Sequence, residues 1–184
     1  MIKNIFLDLD DTLFDFHIAE KIALKKTLLE LGVEPREAVL ARYSVLNDSQ
    51  WKLLEKGIIT RDEVKVNRYR LLFDEIGVKA SPIEAAKIYE GHLSQGHYFV
   101  EGAEELLESL YHNYRLYLVS NGTTVVQKGR LASSGIERYF DQIFISEEIG
   151  FNKPSLEFFT YCFSQIPDFR KEESVMIGDS LTSD

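Results

Sequence analysis

The feature that most constrains the fold is a short apolar segment near the N-terminus that ends in acidic residues. Within residues 2–10, residues 5–7 (IFL) are large and apolar, which is typical of a strand buried on both faces of a sheet. Asp8 and Asp10 follow directly. If the strand continues through them, their carboxylates share a face, since residues i and i+2 of a strand do so. Adjacent carboxylates repel each other unless a cation or a shared proton offsets their charge, so this segment indicates a functional site.

Three later segments also have the composition of short buried strands. They are residues 115–120 (RLYLVS), 142–146 (QIFIS) and 174–178 (SVMIG). Helical patterns lie at residues 101–113, 122–134 and 155–165. Strands that alternate with helices in this way predict a parallel sheet with helices on both faces.

The segment between the first and second strands interrupts this alternation. It contains no convincing strand pattern and is predicted to form four helices, near residues 17–31, 36–55, 61–76 and 82–95. Thr60 and Glu63 fit a capping box at the start of the third of these helices. The predicted fold class is therefore α/β, with a Rossmann-like parallel sheet core from residues 1–16 and 97–184 and an inserted α-helical bundle of residues 17–96.

Charge and cysteine content limit the class of protein. The 184 residues carry a net charge of −9, which argues against a nucleic-acid polymer as partner, because nucleic-acid binders normally present a basic face. The single cysteine, Cys162, cannot form an internal disulfide, which favours a reducing cytoplasm. The N-terminal apolar stretch is interrupted at Asp8, so no signal peptide is expected, and no apolar run approaches the roughly 18 residues of a membrane span.

Polar residues follow the end of every predicted strand. In chain order they are Asp8, Asp10 and Thr12; Ser120 and Asn121; Lys153; and Asp179 and Asp184. Because ligands of open α/β sheets bind outside the carboxyl ends of the strands, we expect these side chains to lie at one edge. Carboxylates suit Mg²⁺, whereas hydroxyls, helix N-terminal amides and a lysine suit phosphate oxygens. The combination predicts phosphoryl transfer to an aspartate.

The same residues resemble the four motifs of the haloacid dehalogenase superfamily, specifically its phosphatases. The first motif, D-x-D-x-T, matches Asp8, Asp10 and Thr12, and the second, a Ser or Thr at a strand end, matches Ser120. The third, a lysine before proline, matches Lys153 and Pro154, and the fourth, G-D-x-x-x-x-D, matches Gly178, Asp179 and Asp184. The resemblance spans the chain, and the helical insert looks like that family's cap.

This resemblance implies a role for each motif residue. Mg²⁺ is held by Asp8, the backbone carbonyl of Asp10 and Asp179, and Asp184 supports the metal site. Asp8 attacks phosphorus, while Asp10 protonates the leaving alcohol and then activates water. The cap closes over the substrate and reads the leaving group. The phosphate-binding residues are expected to be Thr12, Ser120, Asn121 and Lys153.

Shorter stretches resemble the pyrimidine 5′-nucleotidase branch of the superfamily. They are T-L-F-D-F (12–16), Asn47 to Trp51 followed by G-I-I-T (57–60), S-N-G (120–122) and S-E-E-I-G (146–150). A small phosphorylated metabolite, specifically a nucleotide, is therefore the expected partner. Phe14, Asn47 and Trp51 are the candidate specificity residues, although Trp51 also suits the core of the bundle and Phe14 suits hinge packing.

Other functions stay open at this point. A related phosphatase for phosphoglycolate or sugar phosphates would use the same motifs, and a receiver-like phospho-accepting domain would use similar residue types. A receiver has no helical insert and no second carboxylate two residues after its acceptor. Family members continue beyond the fourth motif with further strand–helix units, whereas this sequence stops at Asp184, so it is either a fragment of a longer protein or a chain that departs from the family pattern at this end. An inactive binding domain is then a third alternative.

Overall fold

The computed structural model describes residues 1–184, and contacts within it divide the chain into two compact units. The first unit comprises Met1–His17 and His97–Asp184, and the second comprises Ile18–Gly96. That these units act as a catalytic core and a cap stays a prediction. No helix in the protein is both long enough and apolar enough to cross a membrane.

The first unit contains a parallel sheet of four strands in the order β3-β2-β1-β4. The strands are β1 (Asn4–Leu7), β2 (Arg115–Ser120), β3 (Gln142–Ile145) and β4 (Ser174–Ile177). Its helices are α5 (Ala103–Tyr111), α6 (Thr124–Ser134), α7 (Ser146–Ile149) and α8 (Leu156–Ser164), with 3₁₀ turns at Ile136–Tyr139 and Lys171–Glu173. The predicted α/β fold class is confirmed, but β1 is much shorter than the predicted segment 2–10.

Alternate strand residues enter two apolar layers, one on each face of the sheet. Ile5 and Leu7 of β1 belong to one layer, and Phe6 belongs to the other. The central position of β1 explains why its residues are apolar on both faces, since it pairs with β2 on one side and β4 on the other. The acidic residues follow directly after the carboxyl end of this buried strand.

The second unit contains α2 (Glu37–Glu55), α3 (Arg61–Ile76) and α4 (Pro82–Leu93), together with α1 (Phe16–Glu30), which begins in the first unit. The predicted capping box at α3 is confirmed, since Thr60 Oγ1 accepts from the Glu63 N–H at 3.3 Å and the Glu63 carboxylate accepts from the Thr60 N–H at 2.7 Å. Three buried tyrosines, Tyr43, Tyr69 and Tyr89, surround the guanidinium of Arg68.

Candidate active site

The loop after β1 gives the two motif carboxylates different hydrogen-bond partners. β1 ends at Leu7, so the expectation that the strand continues through Asp8 and Asp10 is wrong. The backbone turns where the N–H groups of Leu13 and Phe14 both donate to the Leu9 carbonyl. Asp11 adopts the left-handed region with φ of 59°, which Asp tolerates better than most residues. Asp8 and Asp10 therefore reach the site through the loop geometry and contact different partners.

Asp8 lies in a buried position beside one cation. Its side chain is 8% exposed, and Lys153 Nζ donates to Oδ1 at 2.6 Å. Thr12 Oγ1 donates to the second oxygen, Oδ2, at 3.3 Å. Burial raises the pKa of Asp8 to about 7, although Lys153 acts in the opposite direction. A buried carboxylate of this kind needs additional positive charge to stay ionised.

Lys153 bridges two carboxylates from different ends of the chain. Its ammonium group lies 2.6 Å from Asp8 Oδ1 and 2.5 Å from Asp184 Oδ1. Burial favours the neutral amine, but the two carboxylates outweigh that effect and the pKa of Lys153 is raised. The Asn121 carboxamide fixes the lysine backbone, because it accepts from the Lys153 N–H at 2.8 Å and donates to the Lys153 carbonyl at 3.0 Å. Asn121 thus positions Lys153, and direct phosphate binding by Asn121 stays a prediction.

The residues at this edge fit a divalent metal ion. Asp8, Asp179 and Asp184 each offer a carboxylate oxygen, and these atoms lie within 4.8 Å of one another. A Cβ on Gly178 would lie 2.1 Å from Asp184 Oδ2, so this glycine leaves the space that the carboxylate occupies. The Asp184 carboxylate also accepts from the Ser180 N–H at 3.1 Å. When ionised, the three carboxylates and Lys153 carry two net negative charges, which one Mg²⁺ neutralises with the hard oxygen ligands it prefers.

Gln127 joins Asp10 to Ser120, and Arg130 contacts Asp10 beside it; the sequence reasoning missed both side chains. Arg130 Nη1 donates to Asp10 Oδ1, and Gln127 Nε2 donates to Asp10 Oδ2 at 2.7 Å. The same Gln127 nitrogen donates to Ser120 Oγ at 2.8 Å. Both residues lie on α6, and both are buried. Their signal in the sequence was two large polar side chains three residues apart on a helix, which share a face with apolar core positions.

The start of α6 is held by the loop after β3. The Glu147 carboxylate accepts a hydrogen bond of 2.6 Å from the Thr124 N–H, the first residue of the helix. An acidic group at this position also interacts favourably with the helix dipole. The S-E-E-I-G segment therefore positions the helix that carries Gln127 and Arg130.

The candidate specificity residues lie in two different environments. Phe14 belongs to the first unit and is fully buried, with its ring 5.1 Å from the Arg130 guanidinium, so it supports that arginine. In the second unit the Asn47 carboxamide is 1% exposed. It donates to Glu20 at 2.8 Å and accepts from Trp51 Nε1 at 3.1 Å and from Arg68 at 2.9 Å. Asn47 orients the partly exposed Trp51 indole, and a role of these residues in specificity stays a prediction.

The strand ends of the parallel sheet carry two aspartates, a lysine, a serine and an acidic cluster that suits a metal ion. This combination of fold and site is typical of a class of hydrolases. The family model of haloacid dehalogenase-like hydrolases matches residues 5–184. The chain therefore belongs to the haloacid dehalogenase-like hydrolase family.

Individual relatives match nearly the whole chain in sequence. The pyrimidine 5′-nucleotidase PynA of Streptococcus pneumoniae is 41% identical over 183 residues, which cover 99% of this chain and 77% of that protein. The HAD-hydrolase YfnB of Bacillus subtilis is 37% identical over 182 residues, with the same coverage. Its magnesium-bound crystal structure matches 99% of this chain and 80% of that chain with a TM-score of 0.94. The glyceraldehyde 3-phosphate phosphatase of Methanothermobacter thermautotrophicus is 26% identical over 188 residues, covering 100% of this chain and 80% of that protein.

These comparisons confirm two predictions made from the sequence. The chain is a phosphatase of the haloacid dehalogenase superfamily, and it resembles the pyrimidine 5′-nucleotidase branch. Two of the relatives, PynA and the Methanothermobacter thermautotrophicus phosphatase, act on small phosphorylated metabolites, as their names state.

Proposed function

We propose that this protein is a magnesium-dependent phosphomonoester hydrolase that works through an aspartyl phosphate on Asp8 and prefers pyrimidine nucleoside 5′-monophosphates. The observation that carries the proposal is the arrangement around Asp8: a buried carboxylate, held by Lys153, within a cluster of three carboxylates. Such a group is poorly placed for a purely structural role, because burial disfavours its charge.

Mg²⁺ would be held by Asp8, Asp179 and the Asp10 backbone carbonyl, with Asp184 supporting the site. When bound, the ion supplies positive charge that favours ionised Asp8 and offsets the charge of the phosphoryl group. Beside Asp8, further positive charge comes from Lys153, whose ammonium group contacts Asp184 and whose backbone is held by Asn121. The Ser120 hydroxyl contributes a neutral donor to the phosphoryl oxygens, and the Thr12 hydroxyl, which donates to Asp8 at 3.3 Å, would turn to these oxygens when substrate binds.

The chain's own residues account for both chemical steps. In the first, an Asp8 oxygen forms a bond to phosphorus, the bond from phosphorus to the ester oxygen breaks, and protonated Asp10 gives its proton to the leaving alcohol. In the second, Asp10 takes a proton from water as the water oxygen attacks phosphorus. The bond between Asp8 and phosphorus then breaks, so that inorganic phosphate leaves and Asp10 has regained its proton.

The substrate preference rests on the similarity to the pyrimidine 5′-nucleotidases PynA and YjjG. In the second unit, a partly exposed indole held by a buried carboxamide suits stacking against a flat base, and Trp51 is our candidate for that contact. The alternative is a sugar phosphate or another small phosphate ester, favoured by the similarity to the archaeal glyceraldehyde 3-phosphate phosphatase.

A substrate panel with a nucleophile variant tests the proposal. Purified protein with Mg²⁺ is assayed for phosphate release from pyrimidine and purine monophosphates, glyceraldehyde 3-phosphate, phosphoglycolate, hexose phosphates and nitrophenyl phosphate. We expect the highest kcat/KM with pyrimidine monophosphates and background rates for Asp8→Asn or with chelator. Normal turnover by Asp8→Asn would refute the mechanism, whereas preference for glyceraldehyde 3-phosphate or hexose phosphates would refute only the nucleotidase assignment.

A further inference from the structure

The side chain of Gln127 uses all of its hydrogen-bonding groups inside the site. Its Nε2 atom donates to Asp10 Oδ2 at 2.7 Å and to Ser120 Oγ at 2.8 Å. Its Oε1 atom accepts from Arg130 Nη1 at 3.1 Å. Gln127 is 1% exposed and Arg130 is fully buried, so water does not substitute for these contacts. One carboxamide therefore connects the expected acid/base residue to the expected phosphate-binding hydroxyl.

Arg130 determines which way the Gln127 carboxamide faces. A guanidinium only donates, so the group beside Arg130 must be the carbonyl oxygen, and the amide nitrogen must then face Asp10 and Ser120. The opposite orientation would place the carbonyl oxygen against the Asp10 carboxylate. Arg130 is itself held by its ion pair with Asp10 and by the Phe14 ring, which lies 5.1 Å away.

This orientation determines the polarity of the Ser120 hydroxyl. Ser120 Oγ accepts from Gln127 Nε2 at 2.8 Å and from the Gly122 N–H at 3.1 Å. A hydroxyl has two lone pairs and one hydrogen, so both acceptor positions are occupied and the hydrogen is left to donate. A hydroxyl that is restricted to donation suits the oxygens of a phosphate group.

Gly122 provides the space for Gln127 to reach this position. A Cβ on Gly122 would lie 2.2 Å from Gln127 Nε2 and 2.5 Å from its Cδ. Those distances are too short for any side chain, so the backbone after Ser120 must pass this point without one. Steric space for the Gln127 side chain, and not backbone conformation, is therefore the reason why the S-N-G segment has a glycine at position 122.

We propose that Gln127 and Arg130 are positioning residues of the hydrolase reaction, with Arg130 orienting the Gln127 carboxamide so that it makes Ser120 a phosphate donor and holds the Asp10 carboxylate. The assignment rests on the proposed function, since it takes Asp10 as acid/base and Ser120 as phosphate ligand. It predicts two separable effects of losing the amide, one on phosphate binding and one on leaving-group activation.

The first experiment measures binding of inorganic phosphate by calorimetry at fixed Mg²⁺. Gln127→Leu should weaken binding roughly tenfold to a hundredfold, the loss expected for one hydrogen bond to a charged group. In a Ser120→Ala background the same substitution should change affinity less than about twofold, because its effect passes through the hydroxyl. Equal effects of Gln127→Leu in both backgrounds would overturn the Ser120 part of the assignment.

The second experiment compares a nucleotide with nitrophenyl phosphate as substrate. Gln127→Leu should lower kcat/KM, which reports the first chemical step, more for the nucleotide, whose alcohol needs the proton from Asp10, than for nitrophenyl phosphate. Arg130→Lys, which keeps the charge but replaces the planar guanidinium whose Nη1 contacts both Asp10 and Gln127, should show the same pattern more weakly. A loss that is equal for both leaving groups would overturn the Asp10 part and indicate a structural role.

Controls separate these outcomes from misfolding and from failure of the proposed function. Gln142→Leu removes a carboxamide at the opposite, amino end of β3, where it donates to the Gln165 carbonyl at 2.9 Å, and should change neither readout. If Gln127→Leu does not fold, the nearly isosteric Gln127→Glu replaces the donor by an acceptor and should weaken phosphate binding more strongly. If wild-type protein binds phosphate but hydrolyses no ester, the proposed function fails. The phosphate-binding experiment in the Ser120→Ala background still tests whether Gln127 positions the Ser120 hydroxyl.

Discussion

Replacing Lys153 with methionine isolates the charge compensation on which the site depends. The ammonium group is 2% exposed and contacts Asp8 and Asp184 at 2.6 and 2.5 Å, so its removal leaves two buried carboxylates without their cation. Breaking a buried pair in this way costs about 3–5 kcal/mol of unfolding free energy, and methionine nearly preserves the volume. This loss of unfolding free energy should grow from about pH 6 to about pH 9. Burial raises the pKa of Asp8 to about 7, so Asp8 ionises over this range, and in the variant the new negative charge has no lysine beside it.

Urea unfolding in the presence of chelator measures this cost. Lys128→Met is the matched control, because the Lys128 side chain is 57% exposed and pairs with Glu148 at the surface. That change should cost less than about 1 kcal/mol. Excess Mg²⁺ should stabilise Lys153→Met more than wild type, since the cluster then carries one more negative charge. Equal stability of Lys153→Met and Lys128→Met would refute the argument that Lys153 neutralises a buried acidic cluster.

Three further predictions follow from individual side chains. Asp10→Asn should lower kcat/KM, which reports the first step, strongly for nucleotides and less for nitrophenyl phosphate. An equal loss of kcat/KM for both would show that Asp10 is not the proton donor. Trp51→Ala should lower kcat/KM for pyrimidine monophosphates about tenfold or more relative to nitrophenyl phosphate, with Trp51→Phe in between, whereas equal losses would assign Trp51 to packing. Burial raises the pKa of the Cys162 thiol to about 12. Folded protein should therefore resist a thiol reagent at about pH 8 and react only in denaturant. Rapid labelling of the folded protein would contradict the burial of Cys162.

The architecture could be predicted from the sequence because the apolar patterns of strands and of helices determine it. Alternating short apolar runs and helical patterns require a parallel sheet, and parallel strands bring their carboxyl ends together. That rule alone placed Asp8, Lys153 and Asp184 at one edge, although they are distant in the chain. The capping box of Thr60 and Glu63 was also predictable, because it depends on local spacing.

Other features depend on geometry that periodicity does not contain. The relation between Asp8 and Asp10 was predicted from strand alternation, but the chain leaves the sheet after Leu7, so loop conformation decides where each carboxylate points. The sequence showed Gln127 only as a polar position on a helix and did not identify its partners. Ser120 and Asp10 are 7 and 117 positions away, and their convergence depends on how α6 packs on the sheet edge.

The most direct test of the central claim is to trap the phosphoryl group on Asp8. Asp10→Asn is mixed with nitrophenyl phosphate and Mg²⁺, quenched in acid, and digested for mass spectrometry. The leaving group of this ester needs no proton, so the first step proceeds while water activation by Asp10 is lost. We predict one phosphoryl group on the peptide that contains Asp8, and none in the Asp8→Asn, Asp10→Asn double variant. Phosphate release without any phosphorylated Asp8 peptide, or the same modification in the double variant, would contradict the account.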